Sequence, residues 1–187
     1  MDLTPVTLQG RHVRLEPLTL AHLDALCEVG LDEELWKWIP IQVRTREDMR
    51  LYIEQAQSAL PFATVEQATG RVVGSTRYMN IDVPNRHVEI GSTWIARPWQ
   101  RTAINTEAKF LMLRYAFETL GCLRVELKTD SLNEKSRRAI LRIGAKQEGI
   151  FRNHMICWNG RIRHTVWFSV IDSEWLEVKA QLEERLG

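Results

Sequence analysis

The strongest constraint on the fold is a change of hydrophobic period at Arg97-Pro98. Before it, the runs PFATVEQ, RVVGSTRYMNI and RHVEIGSTWIA read as half-buried strands, separated by turn-forming clusters at ATG and DVPN. Three such runs in succession predict an antiparallel meander. After it, TEAKFLMLRYAFETLG spaces its apolar residues by three and four and stops at Gly121, the pattern of an amphipathic helix. The strand CLRVELKT follows. Strand, helix and strand in that order make a βαβ-like step, which favours parallel pairing of the WI run with VEL and a crevice at the strand ends.

The flanking segments fit the same plan. RHVRLEP alternates as a strand, and Thr19 stands where a helix N-cap belongs, ahead of LAHLDALCEVG. A loop carrying Trp36, Trp38 and Pro40 leads to a second helix, opened by Thr45 with Asp48 three residues on and predicted to run to about Leu60. SLNEKSRRAILRIG predicts another helix. Two strands near 150–157 and 161–171 are joined through Asn159-Gly160, a hairpin signal, and a last helix starts at about Ser173. The expected fold is mixed α/β, with helices flanking a mostly antiparallel sheet. A chain of 187 residues without linker or repeat reads as a single domain over 1–187.

Composition narrows the function. With 44% hydrophobic and 26% charged residues the chain reads as globular, and a net charge of +1 offers no basic field for nucleic acid. Cys27, Cys122 and Cys157 are odd in number and widely spaced, which argues against a disulfide framework or a zinc site and for a reducing cytoplasm. The start MDLTPVTLQG has no apolar signal core, and no window approaches a membrane span, so neither export nor a membrane partner is expected. GxSxG, HExxH and GxxxxGK[ST] are absent, which leaves no support for a hydrolase, a metal enzyme or a P-loop protein.

The turn WIARPWQRTAINTEAK joins a strand end to a helix start. Free N–H groups and the positive dipole end of a helix hold phosphate, small residues such as Thr102, Ala103 and Thr106 let it approach, and Arg101 adds a cation. An ordinary connection capped by Asn105 or Thr106 would read the same way.

The order VEIGSTWIARPWQRTAINTEA, followed by SLNEKSRRAILRIGA, resembles the GNAT superfamily of N-acetyltransferases over essentially the whole chain, closest to the ribosomal-protein N-terminal acetyltransferase branch. The resemblance implies the acyl-CoA N-acyltransferase fold, a splayed central sheet flanked by helices. It also implies acetyl-CoA as co-substrate, no metal, and a homodimer. The family's pyrophosphate turn, Gln/Arg-x-x-Gly-x-Gly/Ala, falls on Gln100, Arg101, Thr102, Ala103, Ile104 and Asn105, followed by Thr106. Both glycines are replaced, by residues that adopt the left-handed backbone less readily. Thr93, Trp94 and Ile95 would pair their backbone with the pantetheine arm, as a peptide adds to a sheet edge. Asn133 and Ser136 would flank that arm and the thioester sulfur. Arg138, among Lys135, Arg137 and Arg142, would meet the ribose phosphate, although a solvated helix face reads alike.

For catalysis, the resemblance implies Glu89 as the general base, its carboxyl raised by burial beside Val88 and Ile90. A salt-bridged strand residue partnered by Arg77 or His87 is the alternative. The tyrosine acid of many relatives is replaced by Ile140, which leaves Ser136 for that role, or a plain capping hydroxyl. Trp36 and Trp38, in the loop where the family builds its acceptor groove, and His154, on the final hairpin, are the candidate amine-binding residues, with core packing as the simpler account of the tryptophans. The acceptor would be a small-molecule amine or a protein N-terminus. A non-catalytic acyl-CoA-binding or sensing module is the competing reading.

Overall fold

The structure, a computed structural model, describes residues 1–187. Eight strands form one sheet: β1 (Leu8–Gln9), β2 (Val13–Pro17), β3 (Leu60–Glu66), β4 (Val72–Asp82), β5 (His87–Ile95), β6 (Arg124–Asp130), β7 (Lys146–Ile156) and β8 (Ile162–Ile171). Their order is β1-β2-β3-β4-β5-β6-β8-β7, and every neighbouring pair is antiparallel except β5–β6. The predicted parallel step is present, but VEL pairs with Val88–Ile90 rather than with the WI run, which lies beyond the last paired residue.

Six helices cover the two faces: α1 (Leu23–Gly30), α2 (Glu33–Trp36), α3 (Arg46–Ala56), α4 (Ala103–Arg114), α5 (Glu134–Arg142) and α6 (Trp175–Leu186). Successive side chains along a strand point to opposite faces, and each face of the sheet carries its own core. Val88, Ile90, Val125, Leu127, Val166 and Phe168 pack with α4, α5 and α6 in the larger core. Leu26, Trp36, Met49 and Ile53 of α1 to α3 form the smaller one, against Ala63 and Trp94 of the opposite sheet face. No helix is long and apolar enough to cross a membrane.

Several predicted boundaries move, among them the start of β7, at Lys146 rather than near 150. The second helix stops at Ala56, and Leu60 already belongs to β3, paired with Tyr78. The cause is local: Leu60 precedes Pro61, and the proline ring pushes its predecessor into the extended region. The helix after Arg97-Pro98 is capped neither by Asn105 nor by Thr106. Thr102 is the N-cap, extended, with its Oγ1 accepting from the Ile104 N–H at 3.3 Å. The same helix ends in a π-helical turn, Tyr115–Thr119, before Gly121 at φ +66.

Glu107 ties this helix to the start of the sheet. Its carboxylate, 5% exposed, accepts the backbone N–H groups of Arg11, His12 and Val13 at 2.8, 2.6 and 2.8 Å. Gly10 makes room for it, because a Cβ there would lie 2.4 Å from the Glu107 Cδ. The acidic residue in the NTEA stretch thus holds the N-terminus of α4 in place.

Candidate active site

The parallel pairing of β5 with β6 ends at Ile90 opposite Leu127, after which β6 stays with β8 as far as Asp130. Beyond Ile90 the edge of β5 facing β6 is free, while its other edge remains paired with β4 up to Ile95. Between Gly91 and Trp94 two residues of β5, Ser92 and Thr93, oppose one of β4, Thr76, and Ser92 takes φ +45. This bulge and the loss of pairing open a wedge whose β5 wall is Gly91 to Ile95. The predicted Thr93, Trp94 and Ile95 all border the cleft.

The turn after β5 closes one end. Arg97–Trp99 form a 3-10 turn, and α4 starts at Ala103 behind Thr102. Ala103 and Asn105 have ordinary helical angles; the left-handed residue is Arg101, at φ +64. The two missing glycines therefore cost no backbone freedom, because the position that needs it lies elsewhere. Gln100 bridges the wedge: its Nε2 donates to the Ile95 carbonyl at 2.7 Å, and its Oε1 accepts from Lys135 of α5. Arg101, Thr102 and Asn105 line the cleft on one side, and Lys135, Arg138 and Arg142 on the other, so cations face each other across a helix N-terminus. Ile104 is buried in the larger core and does not line the cleft, Ala103 faces a separate pocket beside Arg11 and His12, and Thr106, in the first turn of α4, is likewise absent from the lining.

Asn133 caps α5, its Oδ1 accepting from the Ser136 N–H at 3.1 Å. Ser136 is therefore not the cap. Its hydroxyl has no hydrogen bond within the chain and stands at the cleft wall.

Glu89 lies on the sheet face that carries α1 to α3, 5% exposed. Neither Arg77 nor His87 is its partner; His87 pairs with Asp82. The Lys128 ammonium stands 2.7 Å from Oε2, and Asn80 Nδ2 donates to the same oxygen at 2.6 Å. Oε1 makes no hydrogen bond and lies against Gly91, 3.1 Å from where a Cβ would be. A buried carboxylate thus has one oxygen anchored and one free at the point where the two strands part.

The candidate acceptor residues divide. Trp36 is 1% exposed, donates from Nε1 to the Gly30 carbonyl at 2.8 Å, and packs on Tyr52 and Trp94; it is core, not groove. The segment expected to be a loop is in part α2, capped by Asp32, and this turn rotates Trp36 inward. Trp38 does line the cleft, with the Arg161 guanidinium 5.4 Å from its ring centre. His154 lines it too, 2.9 Å from Thr165 Oγ1, and burial together with Lys128 and Arg163 holds its pKa below the usual imidazole value.

Lys128, Lys109 and Arg163 carry no signal that sequence reasoning used, and Arg77 was read only as a partner for Glu89. Lys109 of α4 is buried at the wedge, its Nζ donating to Thr93 Oγ1 at 2.6 Å and Thr76 Oγ1 at 3.1 Å, with its pKa lowered by burial to about 7. A charged residue in the apolar stretch EAKFLML was the available signal for Lys109.

Comparison with known proteins agrees with this geometry. A family model described as the acetyltransferase (GNAT) domain matches residues 12–146. A GCN5-related N-acetyltransferase from Brucella melitensis, known from its crystal structure, is 38% identical and superposes with a TM-score of 0.93, covering 98% of this chain and 86% of that one. A Bacillus subtilis (strain 168) protein named as ribosomal N-acetyltransferase YdaF is 37% identical over 106 residues, 57% of this chain and 57% of that relative, so the match spans little more than half its length. N-acetyltransferase p20 of Bacillus licheniformis is 26% identical over 176 residues, 90% of this chain and 98% of that one. The match over residues 12–146, on a sheet that splays beside a helix-terminus cradle, makes this chain a member of the GNAT family of N-acetyltransferases.

Proposed function

We propose that the protein transfers the acetyl group of acetyl-CoA to a primary amine by direct attack within a ternary complex. The observation that carries this reading is the free Oε1 of Glu89 at Gly91, beside a strand edge released from pairing. The wedge fits the co-substrate chemically. Unpaired backbone groups on Gly91 to Ile95 suit the amides of a pantetheine arm, and the N-terminus of α4 with Arg101, Lys135, Arg138 and Arg142 suits its phosphates.

Glu89, held by Lys128 and Asn80 through Oε2, takes a proton from the acceptor ammonium at Oε1, directly or through one water. The freed amine nitrogen attacks the thioester carbonyl carbon; a C–N bond forms and the C–S bond breaks. The Ser136 hydroxyl gives a proton to the departing thiolate and regains one, through solvent at the exposed start of α5, from the acylated nitrogen as it becomes an amide, while Glu89 releases its proton to solvent. The products are the acetylated amine and CoA, with no net oxidation.

The test is incubation with acetyl-CoA and a panel of amines: peptides with varied N-termini, amino acids and polyamines. CoA thiol release and product mass are both followed. Transfer to at least one amine class is expected, with Glu89→Gln lowering kcat by about 10²–10⁴-fold. Binding of acetyl-CoA without transfer to any amine would instead make the chain a sensing module.

A further inference from the structure

We infer that the acceptor amine carries a carboxylate, as a free amino acid does, and that Arg77 binds it. This deepens the acetyl-transfer reading and rests on it. Arg77 of β4 is 9% exposed and lines the cleft, yet no carboxylate lies within 4.0 Å of it. Its Nε is buried without any hydrogen-bond partner. The guanidinium lies 4.9 Å from the ring centre of Tyr52, whose hydroxyl is fixed by Ser75 Oγ and the Ser92 carbonyl at 3.2 and 3.3 Å. A buried guanidinium with unused donors is costly unless an anion arrives to use them.

Position makes the anion part of the acceptor. Arg77 stands directly opposite Gly91 in the β4–β5 register, and Gly91 is the residue against which Glu89 Oε1 lies. Opposed residues on one face have Cβ positions about 5 Å apart. An amine at Oε1 and an anion at Arg77 therefore fit the two ends of one small molecule. The co-substrate phosphates have their own cations, at the other end of the wedge.

The charge balance of this wall agrees. Asp130 is held by Arg161, and Glu89 Oε2 by Lys128 and Asn80. Arg163, 7% exposed, bonds only Thr165 Oγ1 and the Trp38 carbonyl. Arg77 and Arg163 are left as unmatched cations, which repel a polyamine and attract an acidic acceptor.

The test uses the protein saturated with CoA, which lacks an acetyl group, so that binding is read without turnover. Glycine, leucine, phenylalanine and glutamate, their carboxamides, and spermidine are titrated by calorimetry. At least one acid should bind about tenfold or more tightly than its amide, the worth of a charge-assisted pair. Arg77→Met should bring that ratio close to one, while Arg77→Lys keeps part of it. An unchanged acetyl-CoA thermal shift in both variants shows that they fold. Equal binding of acids and amides, no binding by any acid, tighter binding of spermidine, or an acid preference that survives Arg77→Met would overturn the inference. Arg77-dependent binding of acids that are never acetylated would leave the anion site standing and refute the transfer reading alone.

Discussion

The Lys128 ammonium lies 2.7 Å from Glu89 Oε2, with both side chains largely withdrawn from water. Lys128 also stands 3.5 Å from the ring centre of Trp167, so the cation is held from two sides. Removing one partner of such a pair strands the other. Lys128→Met should therefore lower stability by about 3–5 kcal/mol, and adding Glu89→Gln should recover part of that loss. Chemical denaturation of the two single variants and the double variant checks this; additive losses would mean that the pair is not coupled.

Trp36 and Trp38 should behave oppositely. Trp36→Ala empties a core site and should cost about 3–5 kcal/mol. Trp38→Ala should leave the melting temperature nearly unchanged and raise the KM for the acceptor amine. Thermal melts beside steady-state kinetics separate the two effects.

The cradle should not gain from restored glycines. Ala103 is helical, so Ala103→Gly should lower stability by up to about 1 kcal/mol without tightening acetyl-CoA. At Arg101, where φ is +64, Arg101→Gly should instead be tolerated by the backbone while weakening acetyl-CoA through loss of the cation. Calorimetric affinities with denaturation midpoints test both.

Lys109 links pH to stability. Burial lowers its pKa in the folded chain from 10.5 to about 7. Between those values the unfolded state binds the extra proton, so stability rises with pH across that window. Below about 7 the cost of burying the charge is fully present, and above about 10.5 it is absent. The stability of the native chain relative to Lys109→Met should therefore rise from pH 7.5 to 10. A flat difference would mean that Lys109 does not titrate in this window.

Much of this architecture is legible in the sequence because it follows from local patterns. The alternation before Arg97-Pro98 and the helical period after it already specify the β5–α4–β6 step, and Asn159-Gly160 marks the last hairpin. Glu89 is found through motif spacing, but its partner is not. Lys128 belongs to another strand, and CLRVELKT says only that it faces opposite to Leu127. Arg77 is legible only as a possible partner of Glu89, not as a cleft residue, for a similar reason: alternation tells which face a side chain takes, not whether that face is covered. Trp36 was misplaced because the short helix that rotates it inward has one turn, too little for periodicity to register.

Every role proposed for these residues requires the wedge between β5 and β6 to accept acetyl-CoA. Thermal unfolding with and without acetyl-CoA, with ATP and a nicotinamide dinucleotide as anion controls, measures that directly. At about 100 times its dissociation constant, acetyl-CoA should raise the melting temperature by roughly 5–11 °C, the controls should not, and Arg101→Glu combined with Lys135→Glu should abolish the rise. No shift with acetyl-CoA at saturating concentration, or an equal shift with ATP, would contradict the account.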